Sequence, residues 1–261
     1  DIAIGYDTPV AMFSGFVKKR ERIRPDNIYR LHCNDVLVRA TDFFMASDDP
    51  ETPFQRNNIS SLNLVRDLLA ECGITNVTTT EPTPVFIWGT NEDGARFNLQ
   101  SVADAIQFVA QITGNVIFSN SSGQVQFNGR IPFVDVGDVA VSPAFTTGSS
   151  GNILDISLET SSEKIRNKCV VYGKGSLHAT RRADSPYVVV DQTLCIAHEL
   201  LDTQEIVDGC ADVNLTILNR LQESYNITLE GSPSIRAREV HSLSESFVGA
   251  SNRNVFIYSA T

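Results

Sequence analysis

The sequence has no apolar run approaching the roughly eighteen residues that a membrane-crossing helix needs, which excludes a helical span. No positively charged stretch leading into an apolar core opens the chain, so no secretory signal is visible. Cysteine is sparse and odd in number. The five (Cys33, Cys72, Cys169, Cys195, Cys210) are widely spaced and fall largely within apolar patterns, which points to reduced, buried thiols rather than a disulfide framework. Basic residues are outnumbered, 21 Lys plus Arg against 31 Asp plus Glu, giving a formal net charge of −10. A dedicated nucleic-acid binder gathers Lys and Arg, because phosphate neutralisation supplies most of its affinity. The one basic cluster, KKRERIR at Lys18 to Arg24, is broken by Glu21 and reads as a solvated strand.

The motifs of common chemistries are missing as well. There is no Gly-x-Ser-x-Gly elbow for a serine nucleophile, and His198-Glu199 has no second histidine four positions after the first. The four histidines (His32, His178, His198, His241) are scattered, and His32 and His241 sit in strand patterns as structural residues. Cys195-x-x-His198 with Cys210 lacks a second paired motif and is not read as a zinc site. Asp48, Asp49 and Glu51 stand among Pro50 and Pro53 and read as a solvated turn. GKGS at Gly173 to Ser176 lacks the first glycine of a phosphate loop and reads as a turn between strands. Trp88, beside Phe86 and Ile87, is assigned to the core. Asn-x-Ser/Thr occurs at Asn58, Asn76, Asn120, Asn214 and Asn226; with Asn214 inside a helix and no signal visible, glycosylation is discounted. No residue is therefore assigned a catalytic, cofactor-binding or metal-binding role, no cofactor is implied, and the chain is read as not an enzyme.

What is present is 42% hydrophobic and 20% charged residues, enough for a sizeable core. Strand patterns occupy AMFSGFV (Ala11 to Val17) and NIYRLHCNDVLVRATDFF (Asn27 to Phe44). A helix capped by Ser60 or Ser61 carries Leu62, Val65, Leu68 and Leu69 on one face and stops at Gly73. A second helix is predicted from Leu99 to Thr113, ended by Gly114, followed by a hairpin with strands at 116–118 and 124–127. Strands are predicted again at 153–158, 165–175 and PYVVVD (Pro186 to Asp191). The longest helix, 203–222, is read with Asp202 as cap and Glu205 closing a capping box, its stripe running Ile206, Cys210, Val213, Ile217 and Leu221. After it, Tyr225, Ile227 and Leu229 alternate with polar residues as a half-buried strand, turned by Gly231 to Ser234. The chain enters a strand soon after Asp1 and stops soon after another at 255–258, so it is expected to be part of a longer polypeptide.

Taken in order, these segments resemble the hub proteins of tailed-bacteriophage baseplates and tail tips, found also in related injection systems. FSGFVKKRER (Phe13 to Arg22) resembles the strand and turn entering their first barrel, and IYRLHCND (Ile28 to Asp35) the strand after it. SVADAIQFVAQITGNVIFSNSSGQVQF (Ser101 to Phe127) is similar to their helix-and-hairpin unit. IRNKCVVYGKG (Ile165 to Gly175) and LNRLQESYNITLEGSPSIRAREVHSL (Leu218 to Leu243) resemble two later segments, the second being the family's most recognisable. One departure is Ala237-Arg238-Glu239, where the family often has Pro-Gly-Asp. A left-handed residue is easy for glycine there, whereas Arg238 would be strained by roughly 1 kcal/mol or adopt another turn.

The resemblance implies an α+β, multi-domain fold with two antiparallel, tail-tube-like β-barrels and an inserted small α/β domain. On that scheme residues 1–56 are part of the first barrel with its N-terminal strands missing, and 57–141 the α/β domain. Residues 142–261 are then the second barrel, truncated at its C-terminus, with the packed helix 203–222. It further implies a homotrimeric ring joining a six-fold tail tube protein to a three-fold spike or tip protein. Genome DNA would pass through the lumen without specific binding, in a virion whose parts are made in the host cytoplasm. The alternative from another class is the barrel portion of a tail-associated cell-wall-degrading enzyme with its catalytic part outside this chain. A carbohydrate-binding barrel would call for rows of exposed aromatics, which one Trp and six scattered Tyr do not supply.

Overall fold

A computed structural model describes residues 2–4, 10–23, 28–46, 54–79, 86–91, 93–128, 140–148, 151–219, 222–230, 235 and 239–257. The chain opens with β1 (Ile2–Ile4) and β2 (Val10–Phe13), an antiparallel pair, then a long hairpin of β3 (Phe16–Ile23) and β4 (Ile28–Asn34). The strand predicted over 27–44 ends at Asn34. Asp35 Oδ1 accepts from the Leu37 amide at 3.0 Å, the local turn that aspartate favours over a ladder. Helix α1 (Val38–Asp42) follows, then the short strands β5 (Phe44–Met45), β6 (Phe54–Arg56) and β7 (Ile59–Ser60).

Helix α2 (Ser61–Glu71) buries the predicted Leu62, Val65, Leu68 and Leu69, and also Leu64. Ser60 stands at its N-cap without a side-chain cap bond. Next come β8 (Val77–Thr79), β9 (Ile87–Trp88), β10 (Ala95–Phe97) and β11 (Gln100–Ser101). Helix α3 (Val102–Thr113) starts three residues later than predicted. Ser101 caps it, its side chain accepting from the Asp104 amide at 3.0 Å, while Leu99 is left outside at φ +56° and 73% exposed. The pairing of β11 with β5 fixes Gln100 and Ser101 as strand and so overrides the periodicity that had placed Leu99 on the helix. Gly114 closes the helix in the left-handed conformation, φ +68°, as expected of a C-terminal glycine.

β12 (Val116–Ser119) and β13 (Val125–Asn128) form the predicted hairpin, and β8 joins β13 in parallel. The remaining elements are β14 (Val141–Thr146), β15 (Ile153–Ser161), β16 (Lys168–Tyr172), β17 (His178–Arg182), β18 (Thr193–Ala197), α4 (Gln204–Leu218), β19 (Gln222–Leu229), β20 (Val240–Glu245) and β21 (Ala250–Phe256). PYVVVD is a loop, not a strand; the strand in this stretch is β18. The Gln192 amide donates to Asn167 Oδ1 at 2.8 Å, and Asp191 pairs with Arg182 at 2.6 Å, which holds the residues ahead of β18 out of the ladder. Helix α4 is capped by Thr203, whose side chain accepts from the Ile206 amide, rather than by Asp202. Asp202 is drawn sideways to Asn91 Nδ2 at 3.1 Å. The helix ends at Leu218 with Asn219 as its C-cap, short of the predicted 203–222, and Gln222 already belongs to β19. Leu221, the last residue of the predicted stripe, lies outside the described residues, as do Gly231 to Ser234 and Ala237-Arg238.

The fold is mixed α+β, mostly strands with four helices among the described residues. No closed barrel forms there: the strands divide into two- and three-stranded sheets, and β8–β13, β14–β20 and β16–β18 are parallel pairs. Two hydrophobic cores organise it. The larger joins α2, α3 and α4 with β12–β13 and the sheet β17–β16–β18. The smaller gathers Phe145, Leu243, Ala250 and Val255, with Ile156, Tyr225 and Ile227 of the β15–β19 ribbon packed against them. Helix α4 lies on β16 and β17 and also against α3. Gly209 lets α4 pack closely on Phe86, just ahead of β9, since a Cβ there would fall 2.5 Å from Phe86 Cε1.

Gly209→Ala therefore sets a helix-propensity gain of about 1 kcal/mol against overpacking of about 1–3 kcal/mol. Net destabilisation is expected, read as a lower urea midpoint; an unchanged or higher midpoint would show that Phe86 yields freely.

Candidate functional site

Among the described residues, the polar residues singled out in the sequence are not brought together. His32 lies exposed on β4, its Nε2 3.5 Å from Glu21 Oε2 on the neighbouring strand. Glu21 also pairs with Lys19, and these two contacts, Lys19 first, hold its carboxyl below the usual range. Lys18 to Arg22 lie exposed along β3 around the half-buried Glu21; Arg24 is outside the described residues, and so are Asp48, Asp49 and Glu51. His178 is exposed at the start of β17. His241 is fully buried in β20, stacked on Phe145 at 4.6 Å, with Nδ1 donating to the Pro143 carbonyl at 2.8 Å. It is part of the smaller core.

His198 follows β18 and lies 4.0 Å from the Phe108 ring of α3. Its Nδ1 accepts from the Leu200 amide at 3.1 Å, which places the ring proton on Nε2 in the neutral form. Burial holds its pKa below the ordinary histidine value.

Cys195 and Cys210 cannot share an ion. In the register of β16 and β18, Cys169 pairs with Leu194 and Val171 with Ile196, so these share the face that α4 covers. Cys195 pairs with Val170 and points to the other face. Burial pushes the Cys169 thiol up to about 11 and the Cys210 thiol up to about 12, which leaves them as packing residues rather than nucleophiles.

Trp88 is wholly buried, its Nε1–H donating to Ser61 Oγ at 2.7 Å. GKGS is the β16–β17 turn, and Lys174 pairs with Asp93 at 2.6 Å, linking this hairpin to the loop before β10. Asn214 is buried and donates to the carbonyls of Cys210 at 2.9 Å and of Gln111 in α3 at 3.3 Å, so it is not accessible to a glycan.

The described surface shows instead open ribbons and exposed apolar side chains. Two long ribbons, β3–β4 and β15–β19, have no third strand among the described residues. Phe16, Val17, Tyr29 and Leu31 are exposed on the first, and Leu154 and Leu158 on the second. Phe43, Phe44 and Leu99 form an exposed apolar corner where β5 meets β11. The β17–β18 loop exposes Tyr187, Val189 and Val190, and the β20–β21 turn exposes Phe247. Open strand edges and clustered apolar side chains are the physical marks of surfaces that other chains cover. The sequence reading found the strands but not these clusters, because periodicity says which face is apolar, not whether anything covers it.

No protein-family profile matches the chain, and no curated protein does. Solved structures do match. A tail protein from Neisseria meningitidis MC58 aligns with 94% of this chain and 73% of its own, at TM-score 0.66 and 13% identity. The fold is that of phage tail proteins. The 43 kDa tail protein of prophage MuSo2 from Shewanella oneidensis aligns at TM-score 0.62 and 13% identity, over 95% of this chain and 74% of its own. Prophage tail protein gp18 from Listeria monocytogenes EGD-e gives TM-score 0.55 and 10% identity, over 97% and 76%. At such identities it is the backbone arrangement that is shared, not the side chains of any site. Among the described residues no helix is long and apolar enough to cross a membrane.

Three outcomes follow. Ser61→Ala orphans the buried Trp88 N–H and is expected to destabilise by about 1–3 kcal/mol, followed by the emission of this single tryptophan during unfolding. In the native state a thiol reagent should label Cys195 and spare Cys169 and Cys210 until the chain unfolds. Because His198 titrates below its unfolded value, the unfolded chain binds more protons as pH falls through about 6.5, and stability declines on acidification. His198→Gln, which keeps an acceptor for Leu200, should flatten that slope between about pH 7 and pH 5; an unaltered slope would assign it to another group.

Proposed function

We propose that this chain is a structural, non-enzymatic component of a phage tail, acting as the hub of the baseplate or tail tip. Three copies form a ring that joins the six-fold tail tube protein on one face to a three-fold spike or tip protein on the other. The observation that carries the reading is the shared backbone arrangement with three tail proteins over 94%, 95% and 97% of this chain. The exposed apolar ribbons and strand edges support it, since a monomer in water gains nothing from displaying them.

The modules 1–56, 57–141 and 142–261 enter the proposal as segments of the chain, with barrel closure at both ends of it completed by strands from neighbouring copies or from flanking sequence. A ring of this kind lines the channel for genome DNA. The net charge of −10 per chain suits such a lumen, because phosphates repelled by acidic walls slide without sticking. The protein would reside in the virion tail after synthesis in the host cytoplasm.

Sedimentation of the chain at several concentrations tests the ring. A species of three times the chain mass that binds the cognate tail tube protein is the expected result. A chain that stays monomeric throughout and does not bind the tube protein would overturn the hub.

A further inference from the structure

We propose that β3 of one copy adds edge to edge to β15 of a second copy, joining the two open ribbons into one sheet across the boundary between chains. The inference rests on the assembly reading above and names the contact that makes the ring.

Both strands are long, and each is paired on one side only among the described residues. β3 has eight residues and β15 nine, with β4 and β19 as their respective partners. The outer N–H and C=O groups of such a strand are a template for a further strand. Apolar side chains flank both templates. Phe16 and Val17 are exposed on β3, and Leu154 and Leu158 on β15, so strand addition would take all four out of water.

The two ribbons carry opposite charge. β3–β4 holds five cations (Lys18, Lys19, Arg20, Arg22 and Arg30) against the single acid Glu21, in a chain of net charge −10. β15 and β19 hold Asp155, Glu159 and Glu223 and not one Lys or Arg. Lys19 is engaged by Glu21, and Glu223 by Arg253 at 2.6 Å. Lys18 and Arg20 are exposed with no ion pair among the described residues, and so are Asp155 and Glu159. The uncompensated cations therefore stand on β3 and the uncompensated acids on β15. Asp155 and Glu159 share one face of the ribbon, opposite Thr228 and Ser224. Cations occupy both faces of β3, Lys19 on one and Arg20 with Arg22 on the other, so the acids meet positive charge in either orientation.

These charges also decide which edges can meet. Like charges directly opposite each other destabilise a strand pair. β3 against β3 would set Lys18 and Arg20 against cations, and β15 against β15 would set Asp155 and Glu159 against acids. Self-pairing of either edge is thus opposed, and the cross pair is favoured. The occupant of each edge is a second copy because the complement of each edge is on the same chain. A contact between two different patches of identical chains is heterologous, and it closes into a ring when its rotation divides the circle.

Charge reversal tests the contact, read by sedimentation at low salt. Lys18→Glu with Arg20→Glu, and separately Asp155→Lys with Glu159→Lys, should each weaken self-association by about tenfold or more, since facing like charges are strongly repelled. All four positions are exposed, so the melting temperature should be unchanged. The four substitutions combined restore opposite charge across the edge and should restore assembly. Assembly of the wild type should also weaken as salt is raised and slow amide exchange in β3 and β15. If the wild type assembles and both reversals assemble normally, or the combined variant is not rescued, this contact is wrong and the hub reading stands on another surface. If the wild type stays monomeric at every concentration, the contact is overturned and self-assembly into a hub loses its support.

Discussion

Helix α4 has to be buried on two sides at once, and the larger core depends on how that is done. One side lies on the sheet β17–β16–β18, where Arg181 reaches across to Asp208 at 2.9 Å and Asp212 at 2.6 Å. These pairs are largely exposed and add little by themselves; the packing of Val207, Cys210 and Ala211 contributes the apolar burial. The other side meets α3 and Phe86, and Gly209 makes the meeting with Phe86 close. From Phe86 the contact continues to Trp88, two residues on in the chain, whose indole is held by Ser61 at the start of α2. Elements more than a hundred residues apart, such as Asn214 and Gln111, thus belong to one packed body.

That body leaves its β-structure only partly covered. A two-stranded ribbon is marginal in water by itself. The β15–β19 ribbon is supported on one face by the smaller core, whereas β3–β4 keeps apolar side chains in solvent. Among the described residues, exposed apolar side chains and open strand edges are spread over the outside of the chain. His241 and Trp88 are spent in the cores, Cys169 and Cys210 under α4, and His198 against Phe108.

What was legible beforehand follows the range of the forces involved. The apolar faces of α2 and α3, the Gly114 stop, the β12–β13 hairpin and the burial of Cys169 and Cys210 each depend on residues within a turn or two, and local pattern suffices for them. Cys195, expected to be buried, is exposed on the far face of β18. The cap of α4 was misplaced by one residue because Asp202 and Thr203 are both good caps, and the choice fell to Asn91, distant in sequence, which engages Asp202.

By itself the sequence determined the three longer helices, several of the strands, the burial of Trp88 and the dispersal of its histidines, since periodicity and capping are properties of neighbouring residues. Only the tertiary structure decided that 38–42 would be helix, that PYVVVD would stand out as a loop and that Leu99 would be pushed into solvent. It also set which strands pair, three of those pairings being parallel. Each of these outcomes turns on a hydrogen bond or a packing contact whose strength exceeds the small preference of the local sequence.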